Sequence, residues 1–223
     1  MPPEGAGATP AAIVDAAAAV GVSVNAATAM RLLSFLDLLQ RWNATYNLTA
    51  VRELAQMRVQ HLNDCLAVIA PLRRKLPNGG RLLDVGSGGG LPGVVIAAVC
   101  PDIEVTCVDA VGKKAAFIRQ AAAELAATNL RGEHARVESV KLPPFDVITS
   151  RAFASLADFV RLTWPLLAPG GVWLAMKGKR PDDEIKALPA NIDVFHVEQL
   201  TVPELDAERC IVWMRPRGPA GTL

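Results

Sequence analysis

Apolar positions along this chain change their rhythm partway. From Asn25 onward, Leu32, Leu33, Phe35, Leu36, Leu39 and Trp42 recur at three- and four-residue spacing, with Arg31, Ser34, Asp37 and Arg41 on the opposite side. That spacing predicts an amphipathic helix capped by Asn25 and reaching about Trp42. Before it, Thr9-Pro10 reads as an N-cap followed by proline at the first helical position, opening a short helix that Gly21 stops. After it, a loop over residues 43–49 leads to a third helix over about 52–69. Residues 1–9 are rich in Gly, Pro and Ala and are expected to be disordered.

From residue 81 short apolar runs alternate with helical stretches. Strands are expected at 81–85, 104–108, 133–137, 145–149 and 172–176, and helices at 91–99, 113–127 and 156–167. Such alternation means βαβ units and a mostly parallel sheet covered on both faces. The last two strand candidates, 193–200 and 209–215, are joined by TVPELDAE with no helix between them, so they should pair antiparallel. A parallel sheet closed by an antiparallel hairpin, seven strands in all, is the outline of a Rossmann-like, class I methyltransferase α/β fold. The division expected is a helical extension over 10–76 and a core over 77–223, packed as one compact unit.

Composition narrows the setting. The chain has 223 residues, long enough for one large domain, and 51% of them are hydrophobic. No apolar run approaches the roughly 20 residues of a membrane span, and MPPEGAGATP carries no basic residue before an apolar run, unlike a signal peptide. Cys65, Cys100, Cys107 and Cys210 lie scattered in apolar segments without C-x-x-C spacing, and His61, His134 and His196 are equally dispersed. Reduced core thiols, no metal and a cytoplasmic protein are the expectation. The net charge of +1 gives no global basic field, but Arg73-Arg74-Lys75, Lys113-Lys114 and Lys177-Gly178-Lys179-Arg180 are local basic groups.

The segment LLDVGSGGGLPG, which begins at Leu82, carries the candidate chemistry. A glycine-rich turn between strand and helix lets a ligand approach the backbone, with amide groups directed at it. Gly88, Gly90 and Gly93 match the dinucleotide pattern G-x-G-x-x-G, whereas Asp84 followed by Gly86, Gly88 and Gly90 gives another register. An acid beside a pyrophosphate works against binding, but S-adenosylmethionine brings an ammonium and a sulfonium, which an acid favours. Asp109, at the end of the second strand, suits a ribose hydroxyl pair and fits either cofactor. Asp84 and the terminal hairpin favour S-adenosylmethionine.

Five further stretches sharpen this. WNATYNLT, HLNDCLAV, LLDVGSGGGLPG, KLPPFDVITSRAF and LLAPGGVWLAMKG occur in that order from about residue 40 to Gly178, and RCIVWMRPR suits a last strand. Together they resemble the ribosomal RNA small subunit methyltransferase G family, also known as glucose-inhibited division protein B. Asn63, Cys65 and Val95 depart from the family's more usual residues. The resemblance implies methyl transfer from S-adenosylmethionine to N7 of a guanosine in 16S rRNA of the small ribosomal subunit (guanine 527 in standard rRNA numbering). It also implies cofactor contacts at Gly86, Leu91, Val137, Glu138 and Arg151.

The chemistry is consistent with what the sequence lacks. Guanine N7 carries a lone pair and no proton, so attack on a sulfonium methyl needs alignment and no general base. There is no Asn-Pro-Pro-aromatic tetrapeptide of the kind used on exocyclic amines, no cysteine ends the fourth or fifth strand, and no histidine stands out as a base. Positioning candidates are Arg151 and Lys177. RNA-binding candidates are Phe153, Lys177, Lys179 and Arg180, where Phe153 is either a stacking surface or a core ring. Tyr46 has two readings, a loop residue closing over the cofactor or an anchor for the extension, and His61 and Asp64 are placed to bond each other on one helix. A monomer is expected. The competing readings are a class I methyltransferase acting on another RNA, a small molecule or a protein, and a ribosome-binding protein without turnover.

Overall fold

The computed structural model describes residues 7–153 and 155–218. The expectation for residues 1–9 falls mostly on 1–6, which lie outside the described residues. Helices α1 (Pro10–Ala19) and α2 (Ala26–Tyr46) start at the caps the sequence suggests: Thr9 Oγ1 accepts from the Ala12 amide at 3.2 Å, and Asn25 Oδ1 from the Thr28 amide at 2.8 Å. Helix α2 outruns its expected end because Asn43 does not break it. The Asn43 side chain is buried and organises the following loop, donating to the Val51 carbonyl (2.9 Å) and accepting from the Thr49 amide (2.8 Å). The helix stops four residues later, at Asn47, which adopts φ +49°.

The single helix expected at 52–69 is broken. Helix α3 (Leu54–Met57) passes into a π-helical turn, Arg58–Asn63, then into α4 (Asp64–Leu66) and, after a kink, α5 (Ile69–Lys75). A π-turn fits one extra residue per turn, which rotates the side chains that follow relative to an α-helix.

The remaining elements are β1 (Gly80–Val85), α6 (Gly93–Val99), β2 (Ile103–Asp109), α7 (Gly112–Glu124), β3 (Leu130–His134), β4 (Phe145–Arg151), α8 (Leu156–Thr163), β5 (Leu167–Lys177), α9 (Asp182–Lys186), β6 (Ile192–Leu200) and β7 (Arg209–Pro216). Within the described residues they form a seven-stranded sheet of order β3-β2-β1-β4-β5-β7-β6. The first five strands run parallel, and β7 is antiparallel to β5 and β6. This is the class I architecture read from the sequence.

Several boundaries move. Strand β3 begins three residues early, because Asn129 fixes its start by donating to the Ala97, Cys100 and Ile103 carbonyls. Val137 therefore falls in a 3-10 turn, Val137–Ser139. Helix α6 starts at Gly93 and not at 91, the glycine turn taking up the difference, and α8 yields to a 3-10 turn, Trp164–Leu166, at Pro165. Helix α9 has no counterpart in the sequence reading; its five residues are too few for a periodic signal.

Strand alternation distributes the core. On one face Leu82, Val147, Val172, Leu174, Ile211 and Trp213 meet Leu32, Phe35, Leu36 and Leu39 of α2, together with α5, α6 and α7. On the other, Leu83, Val85, Ile148, Trp173, Val212 and Met214 meet Leu156, Phe159 and Val160 of α8. The helices before β1 thus share a hydrophobic core with the sheet. No helix among the described residues is long and apolar enough to cross a membrane.

Candidate active site

In a parallel sheet, ligands collect at the carboxyl ends of the strands. Here β1, β2, β4 and β5 end on one edge, and antiparallel β7 begins there. Between β1 and α6 the chain makes a closed turn. The Ser87 hydroxyl donates to the Asp84 carbonyl at 2.8 Å, and the Gly90 and Leu91 amides return to the Ser87 carbonyl at 2.8 and 3.1 Å. Gly86 is exposed with φ +67°, a conformation that strains any side chain, and its amide reaches across to the Val108 carbonyl of β2 at 2.9 Å. Gly93 is required for space: a Cβ there would stand 2.3 Å from Cys107 Sγ and 2.9 Å from Asp84 Oδ2. The extension supports the turn from outside, since a Cβ on Gly89 would meet Leu39 of α2 at 3.0 Å.

The two acids have different roles. Asp84 is fully buried beneath the turn. Its Oδ2 accepts from the Gly93 amide at 2.9 Å, while Oδ1 has no hydrogen-bond partner. Burial pushes its carboxyl up to about 7, against the opposing pull of the Gly93 amide and of Arg151. Its burial leaves it no surface for direct contact with a ligand in the cleft. Asp109 staples loops together, Oδ2 accepting from the Gly88 amide (3.0 Å) and Oδ1 from the Val111 amide (2.8 Å), with Lys114 Nζ at 4.0 Å. A buried unpartnered carboxylate oxygen and an open glycine turn fit a nucleoside ligand that carries positive charge.

Arg151, at the end of β4, is held by the π-turn. Its Nη1 lies 3.4 Å from the Gln60 carbonyl, 3.4 Å from His61 Nδ1 and 3.3 Å from Asp64 Oδ2. His61 and Asp64 do not bond each other, contrary to the sequence expectation, because the π-turn directs both toward Arg151. The other ring nitrogen of His61 lies 2.6 Å from Thr49 Oγ1. Burial, reinforced by Arg151, lowers the His61 pKa to about 4, so the ring is neutral, with Nε2–H donating to Thr49 and Nδ1 accepting from Arg151. Asp64 Oδ1 also accepts from Arg209 Nε at 2.9 Å. These groups border a cavity of about 460 Å3 that Lys177 also lines.

The other candidates are dispersed around this edge. Val137 is buried and Glu138 exposed in the turn after β3. Leu91 is buried under the glycine turn. Phe153 packs against Phe159 with ring centroids 5.6 Å apart and lies 3.7 Å from where a Gly86 side chain would begin, so its ring belongs to both the core and the loop. Lys177 is neutralised by Glu184 of α9, at 2.9 and 2.8 Å from its two oxygens. Arg180 pairs with Asp182 at 2.7 Å, and Lys179 is exposed. Tyr46 is exposed, its ring tilted against Trp42 with centroids 5.0 Å apart and Lys113 Nζ 4.9 Å from its own centroid. Sequence reasoning missed Thr49 as the partner of His61, Glu184, and Arg209. All four cysteines are buried and free, and burial raises the thiol pKa of each. No group of three His, Cys, Asp or Glu among the described residues could hold a metal ion.

Known proteins share both the fold and the sequence. The glycopeptide N-methyltransferase MtfA, solved with sinefungin, superposes with a TM-score of 0.58 at 12% identity, over 67% of this chain and 85% of that one. TrmN from Thermus thermophilus superposes at 0.54 with 21% identity, over 75% of this chain and 54% of that one. Among sequence relatives, ribosomal RNA small subunit methyltransferase G of Leptothrix cholodnii is 61% identical over 211 residues, covering 94% of this chain and 97% of its own length. The protein of the same name from Methylibium petroleiphilum is 61% identical over 203 residues, covering 91% of this chain and 92% of its own. The family described as rRNA small subunit methyltransferase G matches residues 28–212, from near the start of α2 to the middle of β7, and this chain belongs to that family.

Proposed function

We propose that this protein is a cytoplasmic, monomeric enzyme that methylates N7 of one guanosine in 16S rRNA, with S-adenosylmethionine as methyl donor. The observation that carries the reading is the pairing of a buried, partnerless carboxylate oxygen with an open glycine turn, in a chain of this family. When bound, S-adenosylmethionine supplies a methyl group made electrophilic by its sulfonium. Gly86, Gly88, Gly90 and Leu91 would form the backbone cradle, Asp109 would face the ribose, and Val137 and Glu138 the adenine. Asp84 would favour the positive charge from below, and Arg151 would hold the end nearest the substrate. Phe153, Lys177, Lys179 and Arg180 remain the RNA-side candidates, Lys177 acting through its Glu184 pair. Residues 10–76 and 77–223 work as one unit.

The side chains support a mechanism of positioning. His61 has both ring nitrogens engaged, so it offers neither a free base nor a mobile proton. The buried thiols are held in the unreactive protonated form. N7 needs no proton removed, so alignment of the nucleophile, the methyl carbon and the sulfur is the enzyme's task. To test this, small-subunit rRNA from cells lacking the protein is incubated with it and labelled cofactor. Cleavage chemistry for 7-methylguanosine should map the label to one guanosine; label on a pyrimidine or an exocyclic amine would reject the mechanism.

A further inference from the structure

Strand register brings three cations to one edge. Arg151 of β4 is level with Met176 of β5, and Lys177 of β5 pairs with Cys210 of β7, beside Arg209. All three line the cavity of about 460 Å3. Their counter-charges are unequal. Lys177 has Glu184 to itself, whereas Arg151 and Arg209 share one carboxylate, that of Asp64, which is 3% exposed. His61 is neutral and Asp84, on which Arg151 also acts, lies outside the cavity lining, so the lining around Asp64 carries an excess of positive charge, and a matching ligand group is an anion.

Two anions could meet this charge: the carboxylate of an amino-acid cofactor or a phosphate of RNA. Strand order favours one assignment. Neighbouring strands lie about 4.8 Å apart, and in the order β1-β4-β5-β7 the backbone of the Arg209 strand stands three spacings, about 14 Å, from β1, which leads into the glycine turn, although Asp64 draws the two guanidinium groups together. Arg151 stands one spacing from β1. We propose that Arg209 binds a backbone phosphate of the RNA strand carrying the target guanosine, while Arg151 serves the cofactor side of the same cavity. This inference rests on the RNA methyltransferase reading above.

Arg209→Gln should raise the KM for RNA about tenfold and reduce the salt dependence of RNA binding by about one counterion, with cofactor affinity unchanged. Arg209→Lys, which keeps the charge, should stay within about threefold of the parent and retain its salt slope. Photocrosslinking of the unmodified enzyme to its RNA should recover a peptide containing Arg209, a readout independent of how the variants fold. The proposal is overturned if Arg209→Gln weakens cofactor binding while leaving the KM for RNA alone, if neither constant moves, or if no such crosslink forms. Were the unmodified protein to bind cofactor yet methylate no RNA, the underlying reading would fall as well, an outcome distinct from these.

Discussion

Asp84→Asn tests how the glycine turn is supported. The substitution keeps shape and leaves a carbonyl oxygen to accept from Gly93, but it removes the charge. Burial raises the Asp84 carboxyl from 3.8 to about 7. At 1.36 kcal/mol per pH unit that interval corresponds to an upper limit of roughly 4 kcal/mol for ionising the group inside the fold. The sign follows from proton binding: between pH 3.8 and about 7 the folded protein holds a proton that the unfolded chain has released, so stability falls as pH rises through this window. The Asn variant lacks this slope, and its advantage in urea unfolding should grow from near zero at acid pH to a few kcal/mol by pH 8. Cofactor binding should change in the opposite sense. A cationic ligand favours the ionised acid, so the parent's affinity should rise toward pH 8 with proton release below it, while the variant binds more weakly and without that release. Urea titrations from pH 4 to 8, with calorimetry in two buffers of different ionisation enthalpy, measure both. Parallel stability curves for parent and variant would refute the assignment of a buried, proton-binding Asp84.

Three further outcomes follow from the geometry. Gly93→Ala places a methyl group against Cys107 and Asp84 and should cost about 2 kcal/mol in urea unfolding, with loss of cofactor binding. Glu204→Ala removes both hydrogen bonds, each 2.6 Å, that join the exposed Glu204 to fully buried Arg58. Because the guanidinium left behind is fully buried, a loss of about 3 kcal/mol is expected, well above that of an exposed pair, as read by the shift in denaturation midpoint. Arg151→Ala should lower methyl transfer at least a hundredfold with an unchanged circular dichroism spectrum; a fully active variant would remove Arg151 from the site.

The parts of the fold legible in the sequence were those written in local periodicity. Leu82, Leu83 and Val85 announce a strand buried on both faces, and Leu32, Phe35, Leu36 and Leu39 a helix buried on one. The glycine turn was legible because Asp84, Gly86 and Asp109 sit at strand ends that the alternation had already placed. What stayed hidden depended on distance or on irregular backbone. A π-turn leaves no periodic trace, so the regular spacing of His61 and Asp64 suggested a mutual bond that the fold does not make. Asn43 looked like a helix end because its side chain's partners, Thr49 and Val51, lie beyond the helix. Arg209 gave no signal at all; its meaning comes from Asp64, 145 positions earlier.

That separation has a consequence for the order in which the molecule is made. Arg58 and Asp64 are synthesised well before their partners Glu204 and Arg209, which follow them 146 and 145 residues later. Loops of this length close slowly, and their contacts can form only once both ends exist. The glycine turn is complete in the chain well before Arg209, which lines the cavity beside Arg151. Both contacts should therefore close only after β7 has been made, so that arrested chains ending before β7 should be more readily cut by protease at the π-turn than the full chain.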